Sequence, residues 1–261
     1  IAGKMVVVRS LVAGLKLVPI APCGHPLKDL KEAPTFAAMI PMQVYNTLQN
    51  PEERNKLMKI KHLIIGGGAI DDSLARELKK FPNHVWSTYG MTETLSHIAL
   101  RRLNGAEASE WYTPFDNVRI RLSEEGTLII HAPNVCAEEL ITNDIAEINE
   151  EGKFRILGRK DNTINSGGVK IQIEQVEAAL KAHLDIPFQI TARKDAKFGE
   201  IVVLIYNKVK DEASVRQACE EALPTYWVPK AYIAVDELPM TGTGKPDRAT
   251  ARKIASLPVS S

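Results

Sequence analysis

Residues 61–90 constrain the fold more than any other part of the sequence. They read KHLIIGGGAI, DDSLARELKK and FPNHVWSTYG. An apolar run that ends in glycines is followed by an amphipathic run that begins with two aspartates, and then by a second apolar run. These periodicities predict a strand, a helix and another strand. Because such units build parallel sheets whose strand ends carry ligand crevices, we expect an α/β fold with a site after each of these two strands.

The flanking segments extend the pattern and then change it. Before this unit we predict a helix over 5–13, a strand over 15–20 and a helix over 36–48. From Asn117 onward, short alternating runs predict a β subdomain with strands at 118–122, 126–132, 138–142, 144–148 and 153–157. A helix over 172–183, strands over 188–193 and 200–206, a helix over 211–223 and a strand over 230–235 then predict a small α+β unit.

The boundary between the two parts is predicted at a polar segment. Residues 159–161 are Arg, Lys and Asp, and they separate the β subdomain from the α+β unit. We therefore predict one domain over residues 1–159 and a second, small domain over 160–261. Together they make an α/β chain with a parallel-rich sheet and a β subdomain, followed by a small α+β domain.

Composition excludes several classes of function. The 261 residues include 33 basic and 32 acidic side chains, for a formal charge of +1, so no global field attracts nucleic acid or an anionic membrane. The longest apolar run, residues 5–22, is interrupted by Arg9 and Lys16, so we expect no membrane span. Three scattered cysteines fit neither a disulfide framework nor paired metal ligands, which favours a reducing cytoplasm.

Two glycine-rich stretches each leave an alternative open. Gly66, Gly67 and Gly68 let a ligand approach the backbone, or they simply form a tight turn; a dinucleotide fingerprint would need glycine where Asp71 stands, so a dehydrogenase is disfavoured. TGTGKPD, residues 241–247, resembles a phosphate-binding Walker loop, but Pro246 stands where that motif needs Ser or Thr. Lys245 taken alone is a solvated loop charge as readily as a functional one.

The stretch STYGMTET, residues 87–94, combines the groups that a nucleotide site needs. Tyr89 offers a flat apolar face for a purine, and Gly90 allows a sharp turn. Thr92 can donate to a phosphate oxygen, and Glu93 can hold Mg²⁺ through oxygen. The alternative is that Thr92 caps a helix that begins near Glu93 while Tyr89 belongs to the core.

Four separated segments resemble one family in a common order. They are YGMTE at 89–93, TND at 142–144, LGRKDNTINSGGVKIQIEQVE at 157–177 and LPMTGTGKPDR at 238–248. Together they resemble the acyl-adenylate-forming (AMP-binding) superfamily, which includes acyl-CoA synthetases, luciferases and peptide-synthetase adenylation domains. Residues 1–18 and 61–70 also look like family segments, namely the helix and strand after the aromatic substrate gate and the adenine-binding strand and loop.

The resemblance implies a role for each matching residue. The adenine would be lined by Gly66, Gly67, Gly68, Tyr89 and Gly90, with Ser87 where many relatives place Asn. Thr92 would contact the α-phosphate, Glu93 the Mg²⁺, and Asp144 and Arg159 the ribose. Lys245 would bridge the acyl carboxylate and the α-phosphate, Asp161 would be the hinge of a mobile domain, and Gly168 would border the channel for CoA.

Two features depart from the family pattern. Asn143 replaces the usual glycine between Thr142 and Asp144, which is a mild change because Asn tolerates a left-handed turn. The Ser/Thr/Gly-rich phosphate loop with its Pro-Lys ending does not occur in the sequence. Since relatives carry that loop ahead of the segment that begins here, we expect residues 1–159 to be the C-terminal part of the large domain in a longer protein.

Within the superfamily, the short connection between YGMTE and TND looks most like the o-succinylbenzoate–CoA ligase family of menaquinone synthesis. The implied function is an ATP-dependent acid–thiol ligase that uses ATP, Mg²⁺ and CoA. Another aryl- or acyl-CoA synthetase and a noncatalytic acyl-adenylate-binding module are the alternatives, and homo-oligomerisation is left open. A second substrate carboxylate would need a cationic partner, for which His97, Arg101 and Arg102 are candidates unless the arginines are solvated surface.

Overall fold

The computed structural model describes residues 2–68, 70, 72–241 and 245–257. The chain divides into two compact units, residues 1–142 with 146–155 and residues 143–145 with 156–261. The predicted division of the natural domains at residue 159 stays a prediction. Asp71 and residues 242–244 of the TGTGKPD stretch lie outside the described residues.

The first unit is built around a five-stranded sheet. Its elements are α1 (Ala2–Val12), β1 (Phe36–Met39), α2 (Pro41–Gln49), α3 (Pro51–Lys59), β2 (His62–Ile65), α4 (Asp72–Leu78), β3 (His84–Gly90), β4 (His97–Arg102) and β5 (Thr113–Pro114). The sheet order is β1-β2-β3-β4-β5. β1, β2 and β3 are parallel to one another, β4 is antiparallel to β3, and β5 is antiparallel to β4. Leu63, Ile65 and Val85 bury the helix-facing side of the parallel strands.

Two predictions for this unit were wrong. Residues 15–20 form no regular structure, although they are apolar; Pro19 lacks the N–H that a ladder needs, and Leu15 and Val18 remain 55% and 49% exposed. Residues 36–48 form a strand followed by a helix. Pro41 explains the change, because proline breaks a helix internally but suits its first position.

A four-stranded sheet forms the predicted β subdomain. Its order is β6 (Arg119–Leu122), β7 (Thr127–His131), β8 (Leu140–Ile148) and β9 (Phe154–Arg159). Gly126 and Gly152 turn the chain at φ of 78° and 72°, as the SEEG and NEEG turns predict. The strands predicted at 138–142 and 144–148 are one continuous strand, β8.

The second unit is an α+β fold. Its elements are β10 (Thr163–Ser166), β11 (Val169–Gln172), α5 (Ile173–Leu180), β12 (Phe188–Asp195), β13 (Gly199–Asn207), α6 (Glu212–Ala222), β14 (Ala231–Val235) and α7 (Arg248–Ser256), preceded by a 3₁₀ turn at Lys160–Asn162. Strand order is β11-β10-β13-β12, with β14 parallel to β13. Val176, Leu180 and Val215 pack the helices onto this sheet. The predicted fold class is confirmed, while β10, β11 and α7 were not predicted.

Within the described part of the chain, every helix is too short or too polar to cross a membrane.

Candidate active site

The glycine stretch and the end of β3 leave the sheet at the same edge. Ile65 on β2 is in parallel register with Ser87 on β3, so the residues that follow each strand are neighbours. A Cβ on Gly66 would lie 2.2 Å from the Thr88 Oγ1 atom, so the two segments approach closely and a side chain at Gly66 would displace the Thr88 hydroxyl. Gly67 has a φ of +79°, which also makes it a turn residue. Close approach and turn formation are therefore properties of different glycines in one loop.

Tyr89 belongs to an aromatic cluster. Its ring packs edge-on against Phe154, with centroids 5.0 Å apart, and lies 5.9 Å from Tyr112. Phe154 is fully buried, whereas Tyr89 is half-buried. The hydroxyl of Tyr112 is 2.7 Å from the Ser87 Oγ atom, so Ser87 already has a partner. The cluster fixes the Tyr89 ring, and sequence reasoning missed Tyr112 and Phe154, since both are distant in sequence and belong to no motif.

The loop after Gly90 is folded around a buried threonine. The Thr94 hydroxyl accepts from the Met91 N–H at 3.0 Å and lies 3.1 and 2.7 Å from the carbonyl oxygens of Met91 and Ser96. Thr92 and Glu93 are exposed on this frame. No helix starts near Glu93, because the described chain passes through this loop into β4, so the capping alternative for Thr92 was wrong. Thr94 had been overlooked beside the more suggestive Thr92.

Arg9 on α1 reaches the same loop from a distant part of the sequence. Its Nη2 atom donates to Ser96 Oγ at 2.5 Å and lies 3.3 Å from His97 Nδ1. Burial lowers the pKa of His97, and the charge of Arg9 lowers it further. His97 also packs edge-on against Phe115, with ring centroids 5.6 Å apart. Among the described residues, Arg9 has no carboxylate partner.

The two arginines predicted for the acyl pocket have other contacts. Arg102 is only 11% exposed; it stacks on Trp86, donates to Asn104 at 3.0 Å and pairs with Glu107 at 3.7 Å. The solvated-surface alternative is therefore wrong for Arg102, which supports the sheet instead. Arg101 lies over the Tyr112 ring at 5.1 Å.

One guanidinium links two of the predicted residues in the second unit. Arg159 donates to Asp161 through Nε and Nη2 at 3.0 and 3.1 Å, and its Nη1 lies 3.3 Å from an Asp144 oxygen. The hydrogen bond from Arg159 lowers the pKa of Asp161. The side chain of Asp144 is 15% exposed. Asn143 lies within the extended strand β8, so the expectation of a left-handed turn there was wrong.

Gly168 and Lys245 both lie in tight turns of the second unit. Gly167 and Gly168, with φ of 58° and 85°, form the two-residue loop between β10 and β11 that matches a type I′ hairpin turn. No atom lies within 4 Å of a Cβ built on Gly168, so its surface is open. The side chain of Lys245 is exposed, while its N–H donates to Thr241 Oγ1 at 3.1 Å.

These two turns lie at opposite ends of β13. Ser166, next to the glycine hairpin, pairs with Gly199 at the start of β13. Gln189 pairs with Ile205 near its end, and the Gln189 amide donates to the Pro239 carbonyl, at the base of the Lys245 turn, at 2.8 Å. The two pairing positions on β13 are six residues apart in sequence, or about 20 Å at roughly 3.3 Å per residue.

A close glycine loop, a half-buried aromatic ring and an exposed hydroxyl and carboxylate at the end of parallel strands match the groups that the sequence predicts for a nucleotide-binding site. The chain belongs to the AMP-binding enzyme family, whose model matches residues 1–141 and whose C-terminal-domain model matches residues 175–245. The resemblance to the acyl-adenylate-forming superfamily is thus confirmed.

Among individual proteins, the chain is similar to the 2-succinylbenzoate–CoA ligase of Bacillus licheniformis, with 26% identity over 94% of this chain and 58% of that protein. It is 32% identical to an acyl-CoA synthetase (AMP-forming)/AMP-acid ligase II-like protein from Dyadobacter fermentans, with a TM-score of 0.53 over 88% of this chain and 68% of that one. It shares its fold with o-succinylbenzoate CoA synthetase from Bacillus subtilis in complex with the acyl-adenylate intermediate OSB-AMP, with 23% identity, a TM-score of 0.67, and coverage of 83% and 50%. The chain therefore spans little more than half the length of the curated relative.

Proposed function

We propose that this chain is part of an ATP-dependent acid–thiol ligase that forms an acyl-CoA through an acyl-adenylate, with 2-succinylbenzoate as the acid. The observation that carries the proposal is the meeting of the Gly66 loop and the Tyr89–Glu93 segment at one edge of the parallel sheet. It is supported by the name of the curated relative that is similar over 94% of the chain.

In the first half-reaction, a substrate carboxylate oxygen attacks the α-phosphorus of ATP and pyrophosphate leaves. The Gly66 loop and Tyr89 would hold the adenine, and Asp144 and Arg159 the ribose hydroxyls. The Thr92 hydroxyl would donate to the α-phosphate, where negative charge builds. Lys245 would place its ammonium between carboxylate and phosphate, so that the charge of both groups is offset during in-line attack.

Glu93 fits a magnesium ion. Its carboxylate is exposed and forms no ion pair with any described residue, and Mg²⁺ accepts one or two carboxylates together with phosphate oxygens and water. When bound, the ion supplies charge neutralisation to the phosphates.

In the second half-reaction, the CoA thiol attacks the acyl carbon and AMP leaves, so no covalent enzyme intermediate is needed. Gly168 would border the path of the CoA arm, because its hairpin offers an open backbone surface. The separation of this hairpin from the Lys245 turn along β13 supports the idea that each serves a different step.

The second carboxylate of the acid would pair with Arg9 in place of Arg102. Arg9 is half-buried, and it contacts the neutral hydroxyl of Ser96 and the imidazole of His97, whose pKa is lowered. A partly buried cation without a counter-charge favours an anionic ligand. Arg102 already has Glu107 and Trp86 as neighbours.

The test is Lys245→Ala in the full-length protein, with each half-reaction measured separately. ATP–pyrophosphate exchange should fall at least about 100-fold, since one preorganised charge at a developing anion is worth about 3 kcal/mol. Thioester formation from supplied acyl-adenylate should stay near normal. Lys208→Ala, which removes an exposed lysine paired with Asp236, is the matched control. Equal losses in both half-reactions would make Lys245 a structural residue.

Two other functions are separated by simple assays. Activity with a panel of acids distinguishes a 2-succinylbenzoate ligase from another aryl- or acyl-CoA synthetase. Pyrophosphate release distinguishes either enzyme from a noncatalytic acyl-adenylate-binding module. A cytoplasmic location and homo-oligomerisation stay predictions; the free thiols of Cys23, Cys136 and Cys219 are consistent with the first.

A further inference from the structure

The turn that carries Lys245 has a firmly anchored base. The Thr241 N–H donates to the Lys245 carbonyl at 2.7 Å, and the Asp247 N–H donates to the Pro239 carbonyl at 3.0 Å. The same Pro239 carbonyl accepts from Gln189, which is 2% exposed on β12. These bonds fix where the turn leaves the fold, while the Lys245 side chain itself is exposed.

The chain after Lys245 is anchored just as strongly. Asp247 caps α7 by accepting from the Thr250 N–H at 3.0 Å. Ala251 and Ala255 are fully buried on α7, and Ala255 packs with Ile201 of β13. The first helical residue, Arg248, thus comes three positions after Lys245 at a fixed helix start.

Arg248 forms a two-pronged ion pair inside the unit. Its Nη1 and Nη2 atoms lie 2.6 and 2.7 Å from the two carboxylate oxygens of Glu177, on α5. Nη1 also donates to the Ile190 carbonyl at 3.1 Å, and the Ile190 N–H donates back to Glu177 at 2.9 Å. The side chains of Arg248 and Glu177 are only 26% and 17% exposed. This closed network ties the start of α7 to α5 and β12.

We propose that Arg248, held by Glu177, is a positioning residue for Lys245 in adenylation. The inference rests on the proposed role of Lys245 and adds a role for two residues that touch neither ATP nor the acid. A long, exposed lysine contributes to catalysis only if its backbone is set to within a fraction of an ångström, because small misplacements cost large factors in rate. Only the planar fork of arginine satisfies both oxygens of Glu177 and the Ile190 carbonyl together.

The test uses R248K and E177Q in the full-length protein. R248K keeps the charge but loses the fork, and E177Q keeps the shape but loses the charge. We expect each to lower kcat for ATP–pyrophosphate exchange about tenfold or more, while KM for ATP changes less than about threefold. Thioester formation from supplied acyl-adenylate should stay within about twofold of normal, which also reports that the unit is folded. R216K, in an exposed pair with Glu212 on α6, is the matched control and should change neither rate.

The outcomes separate this inference from the proposed function. If K245A leaves exchange intact, the role of Lys245 fails and the positioning role fails with it. If K245A lowers exchange but R248K and E177Q do not, only the positioning role is overturned. It is also overturned if either variant lowers both half-reactions equally, because a general loss of folding explains that result. Should R248K not be recovered as soluble protein, E177Q alone decides, since it preserves the size of every side chain.

Discussion

Replacing Gly90 by alanine should damage the candidate nucleotide site more than the same change at Gly66. A Cβ on Gly90 would lie 2.4 Å from the Ser96 carbonyl oxygen and 2.6 Å from the His97 Cα atom, and both obstacles are backbone. At Gly66 the obstacle is the side-chain oxygen of Thr88, which lies 2.2 Å from the added Cβ, while the next nearest atom, the Thr88 Cβ, lies 3.5 Å from it. A side chain can rotate, whereas the backbone between the loop and β4 cannot move without breaking the Thr94 bonds.

Overpacking of this kind costs about 1–3 kcal/mol, and we expect Gly90→Ala at the upper end. For a unit of this size, about 2–3 kcal/mol corresponds to a Tm lowered by roughly 4–12 °C. Calorimetry of the full-length protein measures the change in Tm, and ATP titration measures the damage to the candidate nucleotide site. Adding Thr88→Ala should restore most of the loss in Gly66→Ala, whereas adding Ser96→Ala should restore none in Gly90→Ala. An unchanged Tm for Gly90→Ala would refute the reasoning.

Three further experiments test separate parts of the chain. Asp161→Pro should keep adenylation within about tenfold of normal and cripple thioester formation, because proline locks φ near about −65°. Asp161→Ala should spare both steps. Equal losses in the two steps would refute the role of Asp161 as a hinge. Gly168→Ala, which forces a side chain to φ of +85°, should slow thioester formation and leave pyrophosphate exchange unchanged, as stopped assays of each step can show. NMR titration should give His97 a pKa below its ordinary value. Because the unfolded chain then binds the proton more readily than the folded chain, the free energy of unfolding should fall as the pH drops from about 6.5 toward the pKa of His97 in the folded protein. A raised pKa would contradict this prediction.

The sequence predicted the fold where the local hydrophobic pattern matches the burial of each residue in the folded chain. Strands β2, β3, β12 and β13 are apolar runs bounded by turn residues, and burial matches that pattern. β10 and β11 were missed because TINS and VKIQ are short and mostly polar; what makes them strands is the Gly167–Gly168 turn and their pairing with each other. The strand predicted at 15–20 failed for the opposite reason, since an apolar run with no pairing partner among the described residues builds no sheet.

Motif residues of the candidate site could be named from sequence, but the residues that contact and hold them could not. Tyr89, Thr92 and Glu93 lie in one short segment, so a common edge was predictable. Arg9 lies 87 positions before Ser96, and no periodicity relates the two. Phe154 and Tyr112 meet through an isolated bridge between distant segments, which only the folded chain reveals.

The contacts of Arg159 have a consequence beyond its proposed role at the ribose. A single guanidinium contacts both Asp144, a proposed nucleotide ligand, and Asp161, the proposed hinge, so we expect nucleotide binding and the setting of the hinge to be coupled through it. Such a coupling is reciprocal: if bound nucleotide favours one setting of the hinge by some factor, that setting must raise nucleotide affinity by the same factor. Release of AMP and return of the proposed mobile domain would then be thermodynamically coupled through this one arginine.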